Sequence, residues 1–285
     1  MTDLDLLPAA DVARLVLDAE RRVVPAVTRA LPEIVRAAEL LAAAWAQGGR
    51  WVFAGAGTSG RIAWSQAAEL PGTFGLDRTR VLARVAGGVG GVDADEDDPA
   101  AAAADIGGLA LATRDVVVAV AASGSTPYTL AVAEAARSAG AVVVAVVTRA
   151  GSPLAGVTTV AVEAVVGEEV LRGSTRLGAG TAQKLALDAL TTTAAACLGR
   201  VHGDLMLDVE PANAKLRERA AGIVADIAGV RLDAARAALA ECGSARAAVL
   251  SLVHGLPPAD AAALAERHRT LRAALEEPGN VPFDP

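Results

Sequence analysis

Five apolar segments between residues 51 and 164 have the pattern of buried β-strands. They are rich in valine and almost uninterrupted by polar residues, at 51–54, 80–86, 115–121, 141–147 and 158–164. Strands that are covered on both faces have this continuous pattern, whereas half-exposed strands alternate apolar with polar residues. The segments therefore predict a five-stranded parallel sheet.

Helical periodicity separates the predicted strands. Helices are expected at 59–69, 98–111 and 127–139, with a short turn near Pro153. Strands that alternate with helices in this way indicate an α/β fold with a doubly wound sheet.

Only helical patterns flank the predicted sheet. Before it, the pattern is interrupted by Pro25 and Pro32, and after Gly173 the strand pattern stops. We therefore expect N-terminal helices that pack on the sheet domain, the sheet domain itself, and a small C-terminal helical subdomain. Their expected bounds are 1–46, 47–228 and 229–285.

The composition limits the class of protein. Of 285 residues, 53% are hydrophobic but only 2% are aromatic, so the core must be filled with Ala, Val and Leu. The formal net charge of −7 argues against an extended nucleic-acid-binding surface. Cys197 and Cys242 form no metal or redox motif, and the acidic N-terminus lacks the features of a signal peptide. We expect no membrane partner and a cytoplasmic location.

Two loops with small and hydroxyl-bearing residues follow the first and third predicted strands, at 55–61 and 122–127. Each opens a predicted helix, whose N-terminal N–H groups favour phosphate. If the strand order is 2-1-3-4-5, these strands are neighbours where the winding reverses, and both loops face one crevice. Ordinary capped turns are the alternative interpretation. The candidate binding residues in the loops are Gly57, Thr58, Ser59, Ser123, Gly124, Ser125 and Thr126.

A third polar segment, at 173–184, opens a long predicted helix. Ser174, Thr175 and Lys184 offer hydroxyls and a cation that suit a second contact with an anion or a polyol. Glu168 and Glu169 precede the segment and are candidates for orienting it. The alternative is a helix N-cap followed by surface charge.

Nucleotide binding is a weaker interpretation of the first loop. Gly55, Gly57 and Gly60 match the dinucleotide-binding spacing G-x-G-x-x-G, but that motif is weak alone. The second strand ends in Ala86-Gly87-Gly88 instead of an acid that would bind a ribose, which argues against NAD. The Walker pattern is absent from the sequence.

Carboxylates are the candidate acid–base groups, because the three histidines fall outside the predicted crevice. Glu69 has apolar neighbours at the end of the first helix after a strand, and burial there would suit a proton donor. An acidic cluster at 93–98 follows the second strand. Most of its members are expected to be solvated or to cap a helix, and one could face the crevice.

Several stretches resemble the SIS (sugar isomerase) domain family, and within it the branch of N-acetylmuramic acid 6-phosphate etherases and glucokinase regulatory proteins. The resemblance covers about residues 20 to 280, and its most specific stretch is the one at 173–184. The matching stretches are GAGTSGR at 55–61, Glu69 with Pro71 and 73–75, AASGSTPY at 121–128, GSTRLGAGTAQK at 173–184, and GDLMLD at 203–208 leading into 213–216.

The resemblance implies a carbon–oxygen lyase that removes D-lactate from N-acetylmuramic acid 6-phosphate without a metal or organic cofactor. A base takes the C2 proton of the opened sugar, an acid assists departure of the C3 lactyl ether, and water adds back. Glu69 matches the family's acid, and Glu96 is the best match to its base, with Asp95 and Asp97 as alternatives. The resemblance also implies a homodimer whose subunits complete each other's sites.

The chain departs from the family pattern near the predicted crevice. Ser125 stands where Arg is common, Gly178 replaces a frequent Lys, and the loop before Glu96 is shorter than usual. Pro71-Gly72 replaces a frequent Pro pair. These departures keep two alternatives open: a non-catalytic sugar-phosphate sensor, and an aldose–ketose isomerase that would leave the lactyl group in place.

Overall fold

The valine-rich segments form one sheet in the computed structural model of the chain, which describes residues 3–277 apart from the side chains of Asp93 and Ala94. The strands are β1 (Trp51–Gly55), β2 (Val81–Val85), β3 (Val116–Ala121), β4 (Val142–Val147) and β5 (Val160–Glu163). Neighbouring strands are parallel, in the order β2-β1-β3-β4-β5. The predicted doubly wound α/β sheet and its strand order are therefore confirmed.

Helices precede, connect and follow the strands, as the periodicity predicts. The helix after β1 continues through Pro71, which removes one backbone donor without ending the helix here. The helices are α1 (Ala9–Glu20), α2 (Val23–Arg29), α3 (Leu31–Ala46), α4 (Gly57–Phe74), α5 (Pro99–Gly107), α6 (Pro127–Ser138), α7 (Pro153–Gly156), α8 (Gly178–Cys197), α9 (Ala214–Ala228), α10 (Leu232–Cys242), α11 (Ala245–His254), α12 (Pro258–Arg267) and α13 (Leu271–Glu276).

The chain divides into two compact units, whose bounds differ from the expected domains. The first unit holds the residues up to 68 and 78–194, and the second holds 69–77 and the residues from 195 on. Helix α3 packs on β1, β3 and β5, so the N-terminal helices belong to the sheet unit. Helix α9 packs on α10 and α11, which places it in the second unit. Residues 278–285 of the expected C-terminal subdomain lie outside the described part of the chain.

Small aliphatic side chains fill the core of the first unit, as the composition predicts. Every residue of β3 is buried. Alanines of α6 pack against one face of this strand. Two buried aromatic residues, Trp51 and Tyr128, also make side-chain hydrogen bonds. Trp51 packs edge-on against Trp45 and donates its indole N–H to the carbonyl oxygen of Leu41 at 2.8 Å. Alanine and valine thus let the helices lie close to the sheet.

A buried ion pair joins the starts of β1 and β3. The carboxylate of Asp115, which is 1% exposed, accepts hydrogen bonds from Nη2 of Arg50 at 2.6 Å and from the backbone N–H of Ala112 at 2.9 Å. Burial alone would raise the pKa of Asp115, but the hydrogen bonds from Arg50 and from backbone amides outweigh it and lower the pKa. The pair therefore fixes the edge of the sheet opposite the strand carboxyl ends.

The second unit has its own apolar core, built by α9 to α13. At its edge, Asp208 accepts hydrogen bonds from Arg200 at 3.1 Å and Arg246 at 2.9 Å. Within residues 3–277, no single helix is long and apolar enough to cross a membrane. Helices α11 and α12, which meet at a bend of 113°, reach the necessary length and apolar composition only when they are taken together.

Replacing Asp115 by Asn should lower the free energy of unfolding by about 3–5 kcal/mol at neutral pH, because Arg50 then keeps a charge with no counter-charge. Because the pKa of Asp115 is lowered in the folded state, this stabilisation is present at neutral pH and is lost as the pH falls below about 4. Urea unfolding of both proteins between pH 3 and 8 measures the difference. The control is Asp11→Asn, which removes an exposed pair with Arg14 and should change little. Equal stability of wild type and Asp115→Asn at pH 7 would contradict the prediction.

Candidate active site

The loops after β1 and β3 line a single cleft of about 330 Å³ at the carboxyl ends of these strands. The predicted meeting of the two loops at the reversal of strand order is therefore confirmed. The cleft is lined by Gly57 and by the polar side chains of Thr58, Ser59, Arg61, Glu96, Ser123, Thr126 and Thr175. Of the described residues, Gly124, Ser125, Ser174 and Lys184 are candidate binding residues that do not line it.

The first loop brings the N-terminus of α4 to the cleft, and glycine makes this approach possible. Gly57 has φ of +51°, and a methyl group added to it would lie 2.1 Å from Oε1 of Glu96. At Gly60, an added methyl group would lie 2.6 Å from the carbonyl oxygen of Gly55. Thr58 and Ser59 stand in the first turn of α4, where N–H groups attract anions.

The second loop folds on itself through its own hydroxyls. Oγ of Ser123 accepts hydrogen bonds from the backbone N–H of Ser125 at 3.2 Å and from the Ser125 hydroxyl at 3.0 Å. Gly124 has φ of +65° and leaves no room for a side chain beside Ser152. The geometry therefore makes Ser125 and Gly124 residues that shape the loop, while Ser123 and Thr126 face the cleft.

The third polar segment reaches the cleft through Thr175. The Glu169 carboxylate accepts hydrogen bonds from the backbone N–H groups of Ala179 at 2.8 Å and Gly178 at 3.1 Å. The predicted orienting role is thus confirmed for Glu169, which caps the first turn of α8. Lys184 is different, since its ammonium group lies 2.5 Å from Oδ1 of Asp188 on the same helix.

The acidic side chains of the cluster after β2 make different contacts. The carboxylate of Asp95 accepts a hydrogen bond from the backbone N–H of Val92 at 2.8 Å, and Asp98 caps α5. Asp97 is exposed, whereas Glu96 is half-buried and lines the cleft beside Gly57. The geometry therefore favours Glu96 over its acidic neighbours as a base.

Comparison with known proteins identifies the family. The SIS domain model matches residues 17–148. Over 280 residues the chain is 41% identical to N-acetylmuramic acid 6-phosphate etherase 1 of Vibrio cholerae serotype O1, an alignment that covers 96% of this chain and 93% of the relative. The N-acetylmuramic acid 6-phosphate etherase of Streptomyces avermitilis is 42% identical over 281 residues, which cover 96% of this chain and 90% of the relative. The chain belongs to the N-acetylmuramic acid 6-phosphate etherase family.

Solved structures share the fold of the sheet unit. The phosphoheptose isomerase GmhA of Neisseria gonorrhoeae superposes with a TM-score of 0.52 at 20% sequence identity, and the match covers 66% of this chain and 98% of that one. At this identity the likeness shows the fold alone.

Glu69, the second carboxylate of the etherase motif, is not buried. Its side chain is exposed, because the buried face of this part of α4 is formed by Ala63, Gln66, Ala67 and Leu70. The burial that would suit a proton donor is therefore not found at Glu69 in the single chain. Glu69 belongs to the second compact unit.

The histidines fall in the second unit, as expected for groups outside the cleft. Burial and the neighbouring Arg272 lower the pKa of His202, so its ring is neutral at pH 7. No histidine lines the cleft in the described part of the chain, whereas the carboxylate of Glu96 does.

Sequence reasoning missed one residue that lines the cleft and one buried residue that contacts its lining. Arg61 lines it and donates a hydrogen bond from Nη2 to Oγ1 of Thr58 at 3.3 Å, and the signal was its place as the one cation in the GAGTSGR motif. Gln183 accepts a hydrogen bond from the Ser59 hydroxyl at 3.0 Å although 124 positions separate the two residues. No local pattern predicts a contact over that separation.

Replacing Ser123 by Ala should weaken binding of inorganic phosphate about 3- to 10-fold, the effect of losing one hydrogen bond. Ser125→Ala, in the same loop but off the cleft, should weaken it less than about twofold. Isothermal titration calorimetry measures both dissociation constants. A larger loss in Ser125→Ala than in Ser123→Ala would contradict the geometry.

Proposed function

We propose that the chain is a carbon–oxygen lyase that converts N-acetylmuramic acid 6-phosphate and water into N-acetylglucosamine 6-phosphate and D-lactate. The observation that carries the proposal is the half-buried carboxylate of Glu96 in the same cleft as the hydroxyl-bearing loops. The names of relatives about 40% identical over 96% of the chain support this choice of substrate.

The phosphate end of the substrate is held by hydroxyls and by the first turn of α4. Thr58, Ser123, Thr126 and Thr175 offer hydroxyl donors around the cleft. Arg61 adds a positive charge beside Thr58. Together with the helix N-terminus, these groups offset the repulsion between a phosphate and the Glu96 carboxylate.

The reaction is an elimination followed by hydration. With the sugar ring open, the C1 aldehyde acidifies the C2 proton, which Glu96 removes as general base. The electron pair forms a C2–C3 double bond, the C3–O bond to the lactyl group breaks, and the departing oxygen takes a proton from the acid. Water then adds to C3 and a proton returns to C2, which gives N-acetylglucosamine 6-phosphate.

We propose Glu69 as the acid, because it stands at the position of the family's acid in the matching motif. The Glu69 side chain is exposed in the single chain, whereas a proton donor works best where water is excluded. The proposed role therefore requires that another surface covers Glu69. A homodimer, which the family resemblance implies, supplies such a cover when the partner packs over Glu69. We expect this dimer to act in the cytoplasm.

Two other functions remain as outcomes of the tests. A sugar-phosphate sensor needs no base, so the place of Glu96 in the cleft argues against it. An aldose–ketose isomerase shares the C2 proton abstraction but leaves the lactyl ether intact. Calorimetry detects binding without turnover, and mass analysis of the product detects isomerisation.

Glu96→Gln should slow release of D-lactate from N-acetylmuramic acid 6-phosphate at least about 100-fold, because an amide cannot take the C2 proton. Glu69→Gln should slow it about as much if it protonates the leaving group. The matched control is Asp97→Asn, an exposed neighbour that does not line the cleft and should keep its activity. An enzyme-coupled lactate assay measures the rates, and near-wild-type turnover in both glutamate variants would remove the mechanism.

Gly57→Ala should lower kcat/KM for lactate release about 10- to 100-fold, because the added methyl group displaces the Glu96 carboxylate. Gly151→Ala is the matched control. Its φ of +60° carries similar backbone strain, but nothing lies within 4 Å of the added methyl group. An equal loss of activity in both variants would attribute the effect to backbone strain and contradict the steric explanation.

A further inference from the structure

Two buried polar pairs lie between α4 and α8 within the first unit. The Ser59 hydroxyl donates to Oε1 of Gln183 at 3.0 Å, and Nε2 of Gln66 donates to the Thr191 hydroxyl at 2.7 Å. All four residues are at most 9% exposed. Each pair joins a hydroxyl to a glutamine amide between the same two helices. Packing should therefore satisfy both pairs equally, and a difference in their hydrogen bonding indicates a functional role for one of them.

The pair of Gln66 and Thr191 is satisfied on both sides. Thr191 accepts from Gln66 and donates its own proton to the carbonyl oxygen of Leu187 at 2.8 Å. This arrangement meets the ordinary requirement that buried polar groups find hydrogen-bond partners. The pair is explained by packing alone.

The pair of Ser59 and Gln183 is not satisfied, and it lies at the cleft. Ser59 lines the cleft, whereas Gln183 is fully buried. Within the described residues, Nε2 of Gln183 has no hydrogen-bond partner. An amide nitrogen with two unpaired donors is a costly group to bury.

The amide of Gln183 can face Ser59 in two ways, which give Ser59 opposite roles. When Oε1 faces Ser59, the hydroxyl proton is used on Gln183 and only lone pairs remain for the cleft. When the amide turns by 180°, Nε2 donates to Oγ of Ser59 and the hydroxyl proton becomes available to the cleft. The turned amide lets Ser59 accept from Nε2 and donate to an oxygen of a bound phosphate at the same time.

We propose that Gln183 is a positioning residue for the anion end of the cleft. It turns its amide to donate to Ser59 when a phosphate binds, so that Ser59 donates its own proton to a phosphate oxygen. The inference rests on the proposed function only for the identity of the anion, and inorganic phosphate tests it without turnover.

Selective ¹⁵N labelling of glutamine tests the turn directly, because glutamine occurs only at positions 47, 66 and 183. Addition of inorganic phosphate should shift the side-chain NH2 resonances of Gln183 and leave those of Gln66 in place. Gln66 is the internal control, since it is buried in the same helix contact but away from the cleft. A Gln183 resonance that does not move at saturating phosphate would overturn the proposal.

Binding measurements test the coupling. Gln183→Met keeps the length of the side chain without its hydrogen bonds, and should weaken phosphate binding about 5- to 10-fold. Ser59→Ala should weaken it by a similar factor, and the double variant should be no weaker than Ser59→Ala. Thr191→Val breaks the other pair, and should lower thermal stability without changing the dissociation constant of phosphate.

The outcomes separate this proposal from the proposed function. Additive losses in the double variant, or the same loss in Thr191→Val, would reduce Gln183 to a packing residue and overturn the proposal. Wild-type protein that binds phosphate with the predicted Gln183 response but releases no D-lactate would retain this proposal while removing the proposed function.

Discussion

The side-by-side pairing of β1 and β3 is the constraint on which the site depends. Trp51 is in register with Val116 and Gly55 with Val120, so both strands end at the same level of the sheet. The next segment after each strand therefore opens at one edge, although about 60 residues of chain separate the two loops. The Arg50–Asp115 pair fixes the same two strands at the other edge.

In the proposed site, glycine allows an anion and a base to share this edge of the sheet. A carboxylate near a phosphate is repelled, so its place must be enforced by packing and offset by positive groups. Gly57 leaves the space that the Glu96 carboxylate occupies. The first turn of α4 and Arg61 supply the compensating positive charge.

The fold could be predicted from the sequence because parallel strands buried on both faces leave a strong pattern. The meeting of the loops followed from strand order, and the role of Glu169 followed from its place before a helix. The direction of single side chains did not follow in the same way. Glu69 and Lys184 lie on helices, where a rotation of one residue, about 100°, separates a buried position from an exposed one. The partner of Ser59 comes from a distant helix, which no local pattern predicts.

Charge alone could not identify which acid residue is placed to act as the base. Asp95, Glu96 and Asp97 are adjacent acids, and composition does not distinguish them. The segment Asp93–Asp97 forms a 3-10 turn, in which successive side chains point about 120° apart. Asp95 therefore turns towards its own loop and holds Val92, Asp97 turns outwards, and Glu96 is directed into the cleft. A change in the length of this turn would rotate a different acid towards the substrate, so the geometry of the turn, more than the number of acids, decides which group can act as the base.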